Sequence, residues 1–213
     1  MFVCLLTLCH LTLFAQSVIN PRIVHTTEKS AIHVPSQEPD AALKKIYSNL
    51  GTSKTGLYDD TNGWLLAGPG ANGGSPVFVA MPFTPKSNSH VSQVQVAVQW
   101  NGTGANQVNL SIYEDTNGVP GTLLAGPVTV TNLPEWGTCC TLAVANFTSV
   151  AVTGKTQYWV VADTPLTGTG SDFSGEWEFV VLPALPQADN FGTGWQSFNG
   201  TFESAGEVLG TIP

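Results

Sequence analysis

"VSQVQVAVQW", residues 91–100, alternates without a break. Val94, Val96, Val98 and Trp100 fall on one face, and Gln93, Gln95 and Gln99 on the other. Successive side chains of an extended chain point to opposite sides, so this period of two predicts a half-buried strand with its valines inward and its glutamines outward. "NQVNLSIYED" (106–115) repeats the device, with Val108, Leu110 and Ile112 inward and Asn109 and Ser111 outward. "GTLLAGPVTV" (121–130), "TQYWVVAD" (156–163) and "EWEFVVL" (176–182) predict further strands, the last adding Trp177 and Phe179 to the inward set. Asn101-Gly102, Asn117-Gly118 and Gly154-Lys155 read as turns between strands. Many short strands at this spacing, with no helical period between them, predict an all-β fold: an antiparallel β-sandwich, jelly-roll-like.

The composition agrees. Of 213 residues, 42% are hydrophobic, enough for a packed core, while 22 Gly and 14 Pro suit turns better than helices. Charge is sparse and lopsided, with 7 Lys and Arg against 15 Asp and Glu. Arg22, Lys29, Lys44 and Lys45 all precede residue 46; beyond it the only basic residues are Lys54, Lys86 and Lys155, whereas of the acids only Glu28, Glu38 and Asp40 come before it. A surface of this sign repels phosphate backbones and anionic lipid, and it lacks the Arg fork that grips phosphate. Nucleic acid is therefore excluded as a partner.

The chain opens "MFVCLLTLCHLTLFAQS" (1–17), an apolar run that closes on small residues at Ala15 and Ser17. It resembles a secretory signal peptide, although no basic residue precedes Arg22. At roughly 20 residues needed to cross a bilayer the run is too short to span one, and no second such run follows. Residues 18–45 read as a polar linker in which "AALKK" makes at most one helical turn, and 46–213 as the sandwich domain. Secretion into the extracellular space is the expectation. Cleavage after Ser17 removes Cys4 and Cys9, which leaves Cys139 and Cys140 in "EWGTCCTL" (135–142). In an oxidising compartment they can pair with each other as a vicinal disulfide or with a second chain. A buried pair of free thiols is the competing reading, and two adjacent thiolates alone make a poor zinc site.

"YDDTNGWLLAGPG" (58–70) echoes "YEDTNGVPGTLLAGPV" (113–128). Two hairpins with the same turn chemistry, or a duplicated unit, would produce the echo. Asp59, Asp60, Glu114 and Asp115 also offer the hard oxygens that calcium prefers, although their spacing is not that of the helix-flanked calcium loop.

"MPFTP", "LSIYEDTNGVPGTLLAG", "LPEWGTCCTL", "TGKTQYWVVAD", "NFGTGWQSFNG" and "EVLGTIP" occur in the order of a bacterial exported family of the choice-of-anchor type, its R group, which residues 46–213 resemble. The resemblance implies a β-sandwich of a bacterial surface or matrix protein. It carries no biochemical activity onto individual residues. Such domains are often followed by a C-terminal sorting helix; here the sequence reads "GTIP" instead, and free secretion or a truncated reading frame is the expectation.

Catalysis finds little footing. His25, His33 and His90 are the histidines left after cleavage, two of them in the linker, and no serine-elbow, zincin or phosphate-loop motif is present. A secreted glycoside-acting enzyme would need a carboxylate pair, for which Glu135, Glu176 and Glu178 are the candidates. Binding is the better reading, and no cofactor is called for. Trp64, Trp136 and Trp195 lie in Gly-rich stretches, where an indole beside Asn or Gln can stack on a pyranose of a polysaccharide or other extracellular matrix component. The alternative is that these three rings cap the ends of the core.

Overall fold

The computed structural model describes residues 23–25, 43–52 and 57–213. The expected signal peptide and most of the expected linker lie outside the described residues. The described chain is all-β, an antiparallel sandwich of two sheets. Its strands are β1 (Ile23–His25), β2 (Lys44–Ser48), β3 (Asp59–Ala67), β4 (Phe78–Phe83), β5 (Ser89–Val96), β6 (Val98–Thr103), β7 (Gln107–Thr116), β8 (Val119–Thr131), β9 (Ala143–Val152), β10 (Tyr158–Asp163), β11 (Ser174–Asn190), β12 (Trp195–Ser204) and β13 (Gly206–Thr211). The larger sheet runs β1-β3-β11-β4-β10-β7-β8, with β6 and β12 also paired to β11; the smaller runs β2-β13-β5-β9.

The stretch 91–100 is one alternating run in two sheets. β5 belongs to the small sheet and β6 to the large one, and the chain crosses between them at Ala97. The alternation survives because the inward faces of both sheets look onto one core, so Val94, Val96 and Val98 are all fully buried. The chain makes the same crossing between β12 and β13 at Ala205. Backbone hydrogen bonds lock the two crossings to β11: Ala97 N donates to Ala205 O, Ala205 N to Glu178 O and Glu178 N to Ala97 O, at 2.8–3.0 Å. Val108, Leu110, Ile112, Trp177 and Phe179 join the core as expected.

Three expectations change. Trp100 is only half-buried, at the core margin. Gln95, Gln99 and Ser111 are buried, not outward in solvent, because other groups cover the outer faces at those points. Asn101 and Gly102 lie within β6, where the pairing with β11 jumps from Trp100↔Gly175 to Thr103↔Ser174, so they form an irregularity in a strand and not a hairpin turn. Asn117-Gly118, by contrast, does close a hairpin, β7–β8, with φ of 56° and 82°, the pair of left-handed residues that a tight hairpin requires.

The stretch expected as linker also contributes structure. β2 begins at Lys44 and pairs with β13, with Lys45 Nζ 2.9 Å from Glu207 Oε2. Ile23–His25 adds β1 to the edge of β3.

Candidate functional site

The three candidate tryptophans do not share a surface. Trp64 is on β3, not in a loop, and is only 4% exposed. It meets Phe179 and Phe198 edge-on at 4.9 and 5.1 Å, which makes it part of the core and removes it from any open binding face. Trp136 is partly buried in the connection between β8 and β9, its indole N–H buried without a partner. Trp195 opens β12 on the outer face of the large sheet and is partly exposed.

The calcium quartet is likewise split. Asp59 and Asp60 are on β3 and Glu114 and Asp115 on β7, with β11, β4 and β10 in between. Asp115 is committed to structure. Its Oδ1 accepts from Trp159 Nε1 and Gln157 Nε2, both at 2.8 Å, and its Oδ2 accepts from Gly118 N. Among the described residues no three acid, His or Cys side chains are grouped to hold a metal ion.

Cys139 and Cys140 form the vicinal disulfide. Both side chains pack with Tyr58, Ala97, Leu142, Val180 and Ala205 in a small cluster separate from the main core. The loop around them is pinned from below. Gln99 Oε1 accepts from Gly137 N at 2.8 Å, and its Nε2 donates to Thr138 O at 2.8 Å. The Tyr58 hydroxyl donates to Thr138 O and Thr141 O, and Trp136 N bonds to Trp100 O. This is why Gln99 is buried: its amide replaces water as the partner of the loop backbone.

The same face of β11 carries Glu176 and Glu178, alternating with the inward Trp177 and Phe179. Glu176 sits opposite Gln99 on β6 and Leu65 on β3; Glu178 sits opposite Gly63. Glu176 is 1% exposed and Glu178 fully buried. Both oxygens of Glu178 and Oε2 of Glu176 have no hydrogen-bond partner. Burial pushes Glu176 up to about 8. Burial, then the neighbouring Glu176, Asp59 and Asp60, pushes Glu178 up to about 10, because a charged carboxylate is costly away from water and beside like charges. Glu135, the third carboxylate, is exposed on the loop. Glu176 and Glu178 are thus closed off from solvent, whereas Glu135 is open to it.

No family model, curated protein or solved structure matches this chain.

What the fold does assemble is a row across the outer face of the large sheet. Phe78 on β4 pairs with Asn190 on β11, and Asn190 with Trp195 on β12. Paired residues share a face, and neighbouring strands lie about 4.8 Å apart, so Asn190 stands in register between two aromatic residues; Phe78 also packs against the main core, whereas Trp195 packs on the outer cluster. All three are partly exposed. Asn190 Oδ1 accepts from Gly192 N and Gly194 N. This fixes the amide and leaves its Nδ2 without a bond to any described residue. Beside the row runs a groove of about 400 Å³ lined by Pro69, Pro76, Phe78, Leu166 and Asn190, with Leu166 62% exposed. Farther along the face, Trp159 pairs with Tyr113 and Asp163 with Asn109, whose Nδ2 donates to Asp163 Oδ1.

Of this row, the sequence reading found only Trp195. Phe78 and Asn190 gave no signal because their significance is a cross-strand register between segments more than 100 residues apart. Gln99 was legible as a strand residue but not as the anchor of the disulfide loop.

Proposed function

We propose that the protein is a secreted, non-catalytic extracellular binding or matrix protein that takes carbohydrate on the Phe78–Asn190–Trp195 row. The observation that carries this reading is the fixed Asn190 amide, in register with the partly exposed Phe78 and Trp195, beside an apolar groove. An aromatic face packs against the C–H face of a pyranose while an amide orients a hydroxyl. The apolar start of the chain and the motif resemblance to exported bacterial sandwiches support secretion. Glu176 and Glu178, buried and unpartnered, lend no support to a glycoside-acting enzyme.

The test is retention on immobilised polysaccharides and a glycan array, comparing the wild type with Trp195→Ala. Loss of a stacking ring should weaken retention by at least ~10-fold, about 1.4 kcal/mol or more. No retained glycan, or equal retention by the variant, overturns the assignment.

A further inference from the structure

The disulfide loop, held by Gln99, and the two unpartnered glutamates, one of them opposite Gln99, occupy one face. Val180 and Ala97, which share a cluster with the cysteines, are the neighbours of Glu178 along β11 and across the backbone junction. Tyr58, which holds the loop backbone, is raised by burial and by the charges of Glu178 and Asp60. The titratable groups facing Glu178 are Glu176, Asp59, Asp60 and Tyr58. An acid kept from water with no partner is a standing cost of burial, and something must hold the cover down against it.

We propose that residues 135–142 form a redox-released cover, in which breaking the Cys139–Cys140 bond frees the loop from the large sheet and exposes Glu176 and Glu178 as an anionic patch. Cys139 and Cys140 lie in a turn and share the Tyr58–Ala97–Val180 cluster as a bonded pair. Bonded sulfurs sit inside van der Waals contact and two separate thiols do not, so the cluster cannot hold both side chains in the same places once the bond is broken. Reduction by a dithiol supplies two electrons and two protons. The S–S bond breaks, two S–H bonds form, and the dithiol closes to its own disulfide. Water then reaches the glutamates, which lose their protons at neutral pH, and the hydrated carboxylates oppose reclosure.

Amide hydrogen exchange of the full chain at pH 7.5, with and without dithiothreitol, tests the device. The Gly137 amide, held by Gln99, reports directly on the loop. Reduction should speed its exchange by at least ~10-fold while the core strands stay protected. A Cys139→Ser, Cys140→Ser variant should behave like the reduced protein without reductant. The Glu176→Gln, Glu178→Gln variant, with no charge to hydrate, should show a much smaller acceleration on reduction. If alkylation proves both thiols free and Gly137 is still protected, the cover does not depend on the bond. Equal opening in the glutamine variant would show that the acids play no part. Either result overturns the proposal.

Discussion

The pair Glu176 and Glu178 sets the pH response of the molecule. Both carboxyls keep a proton in the folded chain where the unfolded chain has lost it, since their ordinary value of 4.5 is raised to about 8 and about 10. Stability from this source is full below about pH 4.5 and declines as pH rises toward those values, with a slope of at most about 1.4 kcal/mol per pH unit for each carboxyl. The melting temperature of the oxidised protein should therefore be higher at pH 5 than at pH 8. Glu178→Gln, neutral at every pH, should flatten that decline, and an unchanged slope would show that Glu178 does not titrate as described. At this scale the sequence misleads in an instructive way. Asp-Thr-Asn-Gly occurs twice, but only Asn117-Gly118 is a turn. Asn62-Gly63 is inside β3, where Asp59 accepts bonds from Thr61 and Asn62 and the pairing to β11 slips between Glu178 and Phe179. Identical local chemistry gives a hairpin in one place and an irregular strand in the other because the partner strand decides.

Among elements, β11 organises the large sheet, since β3, β4, β6 and β12 all pair with it. The stretch read as a strand from the sequence, 176–182, is only part of its length, Ser174–Asn190; Pro183 and Pro186, which cannot donate to a ladder, follow it. Pro183 falls where the β11–β12 register slips, between Val181 and Leu185, whereas Pro186 stands in register opposite Asn199. Close approach on the other side of β11 depends on Gly175. A Cβ there would overlap the Gln99 carbonyl oxygen and come within 2.6 Å of the Phe173 ring. Gly175→Ala should push β6 away from β11, costing about 1–3 kcal/mol, and should loosen the loop that Gln99 anchors. Denaturant melts together with exchange at Gly137 check both effects. Wild-type stability would mean that β6 shifts freely and is not the fixed support described here.

For the whole molecule, the packed core between the sheets is the dominant stabilising feature. Leu110 is fully buried within it, and Leu110→Ala should cost about 2–5 kcal/mol in urea melts; a cost near zero would contradict its place in the core. The sequence by itself determined the strand class, most of the inward face and the availability of Cys139 and Cys140 to each other. Period-two alternation and cysteine arithmetic are properties of neighbouring residues and need no partner to be read. Only the tertiary structure decided that 91–100 crosses between sheets at Ala97, that Trp64 is core, that Gln99 is buried, and that Phe78, Asn190 and Trp195 form a row. Those facts follow from which strands pair and in what register. Register is fixed by burying one face of every strand at once, a condition on the entire chain that no single stretch of it carries.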